Sequence, residues 1–259
     1  MESTDRRYRL AELTREELQR RLPDATVVIP IGATEQHGPH LPLMTDHLMA
    51  ETIALRAAAL VPPEVDVLVA PVLPFGCSSH HLRVGGALTV NLRTYIAFLV
   101  DLGESVAAMG GKRLVLLNGH GGNEDAMRVA ATELVSERRL GMAVSAASYW
   151  QIGHEALARL PFDGPGHAGH FETSCMMAVR PDLPRLDARF APDREPRPLA
   201  ISGQINGVPV RYPGIWEASA GVSDAADQAS AELGEQTVAA IAQATADFLA
   251  AFHQRPLFE

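Results

Sequence analysis

Four short apolar runs constrain this chain most: 26–31 (TVVIPI), 65–72 (VDVLVAPV), 113–117 (RLVLL) and 142–148. Each has the length of a strand, and helical patterns separate them at 46–60, 92–109 and from 124 to about 139. Buried strands alternating with helices predict a mainly parallel sheet covered on both faces. The expected fold is a single three-layer α/β/α domain over residues 1–259, since no repeat, low-complexity segment or linker argues for a second unit. Thr14-Arg-Glu-Glu17 reads as a capping box ahead of a charged helix ending near Leu22. Pro30 weakens the last position of the first strand. Residues 180–212, rich in Pro, Asp and Arg, are expected to cross the surface with a hairpin near 204–210. An alanine-rich helix over 223–252 is expected to pack outside the sheet.

Folds of this kind place their chemistry in loops at the carboxyl ends of the strands. Here those loops hold most of the histidines: nine of the ten lie between His37 and His170. In extended backbone Glu35 and His37 project to one side. Asp46 either caps the following helix or turns both oxygens toward metal ions, which a carboxylate can bridge. His120 follows the third strand among Gly119, Gly121 and Gly122, a run lacking the Lys-Ser/Thr of a phosphate loop. Glu172 and His167 are separated by a turn containing Gly169. Glu172 fits a site residue or an acid that simply stabilises a helix N-terminus. Oxygen donors mixed with imidazoles suit Zn²⁺, Mn²⁺ or Fe²⁺ in an open site better than a closed structural one.

Composition excludes other classes of function. With 22 Lys+Arg against 31 Asp+Glu, the net charge of −9 argues against nucleic-acid or anionic-membrane surfaces. No window approaches a membrane span. The segment 1–22 has no apolar core of the secretory kind, so a cytoplasmic setting is expected. Cys77 and Cys175 are too few for a disulfide framework and lack the basic neighbours that activate thiols.

Three stretches carry a resemblance. Pro30-Ile-Gly-Ala-Thr-Glu-Gln-His-Gly-Pro-His-Leu-Pro-Leu-Met-Thr-Asp46, Leu117-Asn-Gly-His-Gly-Gly-Asn123 and His167-Ala-Gly-His-Phe-Glu-Thr-Ser174 resemble the signatures of the creatininase (creatinine amidohydrolase) family. The loop from Pro74 to His81 and the segment from Gly221 to Gly234 fit more loosely. The resemblance implies a creatininase-like fold, a homo-oligomer (a hexamer) and two divalent metal ions, Zn²⁺ foremost with Mn²⁺ or Fe²⁺ as alternatives. It implies that Glu35 and His120 hold one metal, His37 the other, that Asp46 bridges them, and that His167 acts as acid/base. Creatininase itself has a glutamate ligand two residues after the second-motif histidine, where this chain has Gly122. Glu172 is accordingly a catalytic candidate or a substitute ligand. The formamide-hydrolase and mycofactocin-precursor peptidase branches share the glycine.

The expected activity is hydrolysis of a C–N amide bond in a cyclic amide, formamide or similar small molecule by a two-metal-activated water. One alternative is a peptidase trimming the C-terminus of a small ribosomal precursor peptide; another is a non-catalytic metal-binding subunit. Ser78 and His81 are expected to touch substrate. Trp150 is expected either to form a lid over the cleft or to pack in the core.

Overall fold

The computed structural model describes residues 7–162, 164–188, 204–205, 208–210 and 213–257. Four strands, β1 (Thr26–Ile31), β2 (Val67–Val69), β3 (Arg113–Asn118) and β4 (Ala143–Ser148), form one sheet in the order β2-β1-β3-β4 with every pair parallel. The helices are α1 (Arg15–Arg21), α2 (Thr45–Leu60), α3 (Leu92–Ala108), α4 (Glu124–Thr132), the single turns α5 (Tyr149–Ile152) and α6 (His154–Leu157), then α7 (His170–Val179), α8 (Ile215–Ala218) and α9 (Ala231–Gln254). The Thr14 capping box forms, with Glu17 Oε2 accepting from the Thr14 N–H at 2.7 Å.

Side-chain alternation along the strands builds the two outer layers. Val28, Val115 and Leu117 face α2, α7 and α9, joining Met49, Ile53, Phe171 and Ile241 in one cluster. Val27, Ile29, Leu114 and Leu116 face the other way, joining Tyr95, Leu99, Met127 and Leu134 beneath α3 and α4. The α7–α9 crossing is tight enough to need Gly234, where an added Cβ would fall 1.8 Å from the Ser174 carbonyl oxygen. No helix of the described residues is long and apolar enough to cross a membrane.

Several boundaries differ from the sequence reading, each for a local reason. The second strand is shorter than 65–72 because Pro71 has no N–H to donate; pairing resumes only where Leu73 donates to Pro30 at 2.9 Å. Pro30 itself is tolerated inside β1. Its carbonyl, and hence its nitrogen, faces the side where β2 has already ended, so no ladder bond to β3 is lost. Helix α4 stops at Thr132 and gives way to a wider π turn over Glu133–Glu137. The last helix starts at Ala231 rather than 223, with the Ser230 hydroxyl accepting from the Leu233 N–H, because Ser223 and Asp224 bind the loop around His167. It packs on α2 and α7, with Val238, Ile241 and Leu249 buried. Gln204–Ile205 and Val208–Pro209 pair antiparallel, as the hairpin expectation has it; most of 180–212 lies outside the described residues.

Candidate metal centre

The loops after β1, β2 and β3 and the start of α7 converge at the carboxyl edge of the sheet. The chain leaving β1 is held against the loop after β2, where Leu88 donates to the Thr34 carbonyl at 2.9 Å. At the end of β3 the Asn118 side chain grips the turn on both sides, accepting from the His120 N–H at 3.0 Å and donating to the His120 carbonyl at 2.7 Å. Asn123 then ties that turn to its neighbours, donating to Gly32 and accepting from the Cys77 N–H. The third loop is clamped by Ser223, whose hydroxyl accepts from the His167 N–H at 2.6 Å and whose N–H donates back to the His167 carbonyl at 3.0 Å. Ala168 sits beside it at φ +56°, an uncommon conformation for a residue with a Cβ, and costs about 1–2 kcal/mol that the clamp must hold.

These supports bring Glu35, His37, Asp46, His120, His167 and Glu172 together, all buried. Glu35 Oε1 lies 3.2 Å from His120 Nδ1, 3.3 Å from His81 Nε2 and 3.7 Å from His167 Nδ1. Asp46 stands between two imidazoles, with Oδ1 2.9 Å from His37 Nε2 and Oδ2 3.1 Å from His120 Nδ1. Glu172 Oε2 lies 3.7 Å from His37 Nε2 and accepts from the Ala168 N–H at 2.5 Å. Asp46 does not cap α2, whose first turn it occupies; its carboxylate points into the cluster.

Ring orientation is the most informative feature. A carbonyl can only accept, so His37 Nδ1 donates to the Glu35 main chain at 3.1 Å, His120 Nε2 to Cys77 at 3.2 Å and His167 Nε2 to Gln36 at 2.8 Å. Each ring spends one N–H on the backbone and turns its other nitrogen toward the carboxylates. This is how metal-ligating imidazoles are held. A nitrogen lone pair 2.9 Å from a carboxylate oxygen repels it unless a proton or a metal ion lies between. Both Glu35 oxygens and Asp46 Oδ2 are buried without a donor in hydrogen-bonding geometry among the described residues. Orphaned carboxylate oxygens are too costly to bury unpaired, and a cation satisfies them.

The charges of the bare chain agree. Burial opposes protonation of His37, yet Asp46 and Glu172 hold its imidazole well above the ordinary range. Burial likewise opposes it at His120, where Glu35 and Asp46 prevail. Burial would raise Glu35, but His120 and His81 hold it well below the usual carboxylate range. Asp46 is also lowered: burial opposes this, His37 supplies it. Glu172 is raised by burial, which outweighs His37 beside it. Burial and the charge on His37 hold His167 well below the ordinary range. Without metal, protons on His37 and His120 stand where cations would; metal binding displaces such protons.

Among the residues expected to touch substrate, His81 is fully buried and faces Glu35, and Ser78 Oγ lies 3.4 Å from His120 Nε2. Trp150 packs on the hydrophobic cluster, edge-on to Tyr149, with no contact to the imidazoles; the aromatic ring there is Trp216, 4.6 Å from His81 and 5.0 Å from His167. The lid expectation for Trp150 is corrected to its core alternative. Gln36 is a second residue the sequence reading missed. Its Oε1 accepts from the Gly38 N–H, which aims Nε2 at the Gly221 carbonyl and His81 Nδ1, both at 2.9 Å. The E-Q-H spacing suggested a residue pointing away, and only irregular backbone after β1 brings it in. His154 and His253 lie elsewhere, bonded to Gln151 and Thr26.

Known proteins resemble this chain in sequence and fold. Residues 11–249 match the family model described as Creatininase: Creatinine amidohydrolase. The mycofactocin precursor peptide peptidase of Mycobacterium tuberculosis is 35% identical over 191 residues, covering 70% of this chain and 69% of that protein. The creatinine amidohydrolase of Pseudomonas putida is 29% identical over 256 residues, covering 92% and 94%. A putative creatinine amidohydrolase structure from Bacteroides fragilis superimposes with a TM-score of 0.79 at 29% identity, covering 98% of this chain and 99% of that one. A creatininase in a Mn form (0.76, 28%, 95% and 99%) and a mutant creatininase of Zn-Zn type (0.76, 27%, 95% and 98%) also superimpose. The chain belongs to the creatininase family and is a metal-binding hydrolase of amide C–N bonds.

Proposed function

We propose that this chain hydrolyses the C–N amide bond of a small cyclic amide, formamide or related molecule at a centre of two divalent cations. Glu35 and His120 would hold one, His37 the other, and Asp46, with one oxygen toward each imidazole, would serve both. The observation that carries this reading is the set of carboxylate oxygens buried without donors and faced by backbone-tethered imidazoles. Oxygen and imidazole donors suit Zn²⁺ first, with Mn²⁺ or Fe²⁺ also accommodated. Bound cations supply Lewis acidity, bringing the pKa of water toward neutrality and polarising a carbonyl.

The chain's own groups do the remainder. His167 is held below the ordinary imidazole range and fixed by its Nε2–H bond to the Gln36 carbonyl, which leaves Nδ1 unprotonated and turned toward Glu35; there it would first take the proton lost by the attacking water and then pass that proton to the departing nitrogen. Ser78 and His81 line the same recess, and Trp216 flanks His81 and His167. The similarity to the mycofactocin precursor peptide peptidases favours a second reading, removal of a short C-terminal piece from a precursor peptide. A non-catalytic metal-binding subunit is the reading that retention of His167 disfavours. We carry one domain over 1–259, a cytoplasmic setting and a homo-hexamer with these proposals, the last checked by sedimentation. The functional test is a panel of lactams, formamides and C-terminal peptides assayed with the metal-loaded chain. Turnover of a lactam or formamide supports the first reading, peptide trimming alone the second, and no hydrolysis the third.

A further inference from the structure

Resting on the two-cation reading, we infer that His80 is a further ligand of the first cation, the one held by Glu35 and His120. The loop after β2 passes through a single tight turn, Ser79–His81, that sends both of its histidines to the site, with ring centroids 4.3 Å apart. Potential ligand atoms of Glu35, His80 and His120 lie within 4.8 Å of one another. The His80 ring runs parallel to that of His120, with an interplanar angle of 3° and 5.6 Å between centroids, and Trp216 flanks it at 5.7 Å.

The nitrogens separate His80 from its neighbour. Gln36 donates to His81 Nδ1, so the His81 proton stands on Nε2, the nitrogen 3.3 Å from Glu35, and no lone pair is left there for a metal. His37, His120 and His167 each spend one nitrogen on a main-chain carbonyl. His80 is half-buried and spends neither, since no hydrogen bond engages its ring among the described residues. A free lone pair within reach of a carboxylate buried without donors completes a cation's shell and breaks no other bond. Gly122 admits the ring. A Cβ there would lie 2.9 Å from His80 Cε1, 2.2 Å from the Cys77 carbonyl oxygen and 2.4 Å from His120 Nε2, so a side chain at that position and the His80 ring exclude each other. Glu35, Asp46, His80 and His120 give the first cation two carboxylates and two imidazoles, a set that suits Zn²⁺ better than Mn²⁺.

The test is Zn²⁺ titration of the chelator-stripped full chain, read as equivalents bound and the affinity of each. The wild type is expected to take two. His80→Phe keeps a ring against His81, His120 and Trp216 but carries no nitrogen. It is expected to bind one of the two equivalents at least about 100-fold more weakly, more than the loss of an outer hydrogen bond costs. Two equivalents at wild-type affinity in His80→Phe overturn the assignment, whether or not turnover falls. His37→Ala, which leaves the first cation's ligands intact, identifies the site. Adding His80→Phe to it is expected to weaken the remaining equivalent by a similar factor, and no effect there overturns the assignment. If circular dichroism shows His80→Phe unfolded, His80→Ala carries the same test with the same outcomes. A wild-type chain that binds no metal defeats the two-cation reading itself, a result distinct from the others.

Discussion

Midway along β1 and β3 the buried side chains are uncharged; one step past the carboxyl ends they are carboxylates and imidazoles. Val27, Val28, Val115 and Leu116 are fully buried among apolar neighbours, and the partnerless polar atom in their clusters, the Tyr95 hydroxyl, is uncharged. Beyond Ile31 and Asn118, equally buried positions hold Glu35, Asp46 and three imidazoles whose remaining nitrogens face carboxylates. The core is complete without a ligand. The edge is complete only with positive charge, from protons in the bare chain and, on the proposed reading, from metal ions in the working one.

That contrast can be broken at either end. Asp46→Ala removes the one carboxylate both imidazoles face, and is expected to lower turnover at least about 1,000-fold without rescue by added Zn²⁺ or Mn²⁺. Rescue by either metal would show that Asp46 is not shared. Gln36→Ala leaves every proposed ligand in place but releases His81 and the Gly221 carbonyl. A loss of about 10–100-fold in turnover or metal affinity is expected, and kinetics identical to wild type would remove Gln36 from the site's support.

A break in the core should behave differently. Gly234→Val forces a Cβ onto the Ser174 carbonyl where α9 crosses α7, costing about 1–3 kcal/mol of unfolding free energy while leaving metal stoichiometry at two. Denaturant unfolding with metal analysis measures both, and lost metal at full stability would contradict the separation. The smallest effect concerns the thiols. Burial pushes Cys77 up to about 11 and raises Cys175 as well, so both stay protonated near neutrality. A thiolate fraction of roughly three in ten thousand at pH 7.5 follows for Cys77, and alkylation should accelerate only as pH climbs toward 11. Fast labelling at neutral pH would show a more open site.

Strand existence, order of elements and the parallel sheet were legible because buried runs and the helices between them follow simple periodicities. The loops were legible only as residue types. Glu35, His37, Asp46 and His120 stood out because carboxylates and imidazoles are unusual beside glycines and prolines at strand ends. Their pairwise geometry depends on Asn118, Asn123 and Ser223, which stand within the matching stretches but whose bonds to the loops cannot be read from residue type. Trp216 illustrates the limit: it reaches His81 from a segment without periodicity, while Trp150, next to a recognisable strand, turns into the core. Helix α9 began late for the same reason, because Ser223 and Asp224 serve a loop more than fifty residues upstream.

On the proposed reading, the donorless carboxylates hold two cations that the hydrolysis requires. Metal content and amide hydrolysis, measured on one preparation before chelation, after chelation and after reloading with Zn²⁺ or Mn²⁺, decide this. Two equivalents with activity, none without, and recovery of both together are expected. A chain stripped of metal that hydrolyses its substrate at the full rate would contradict it.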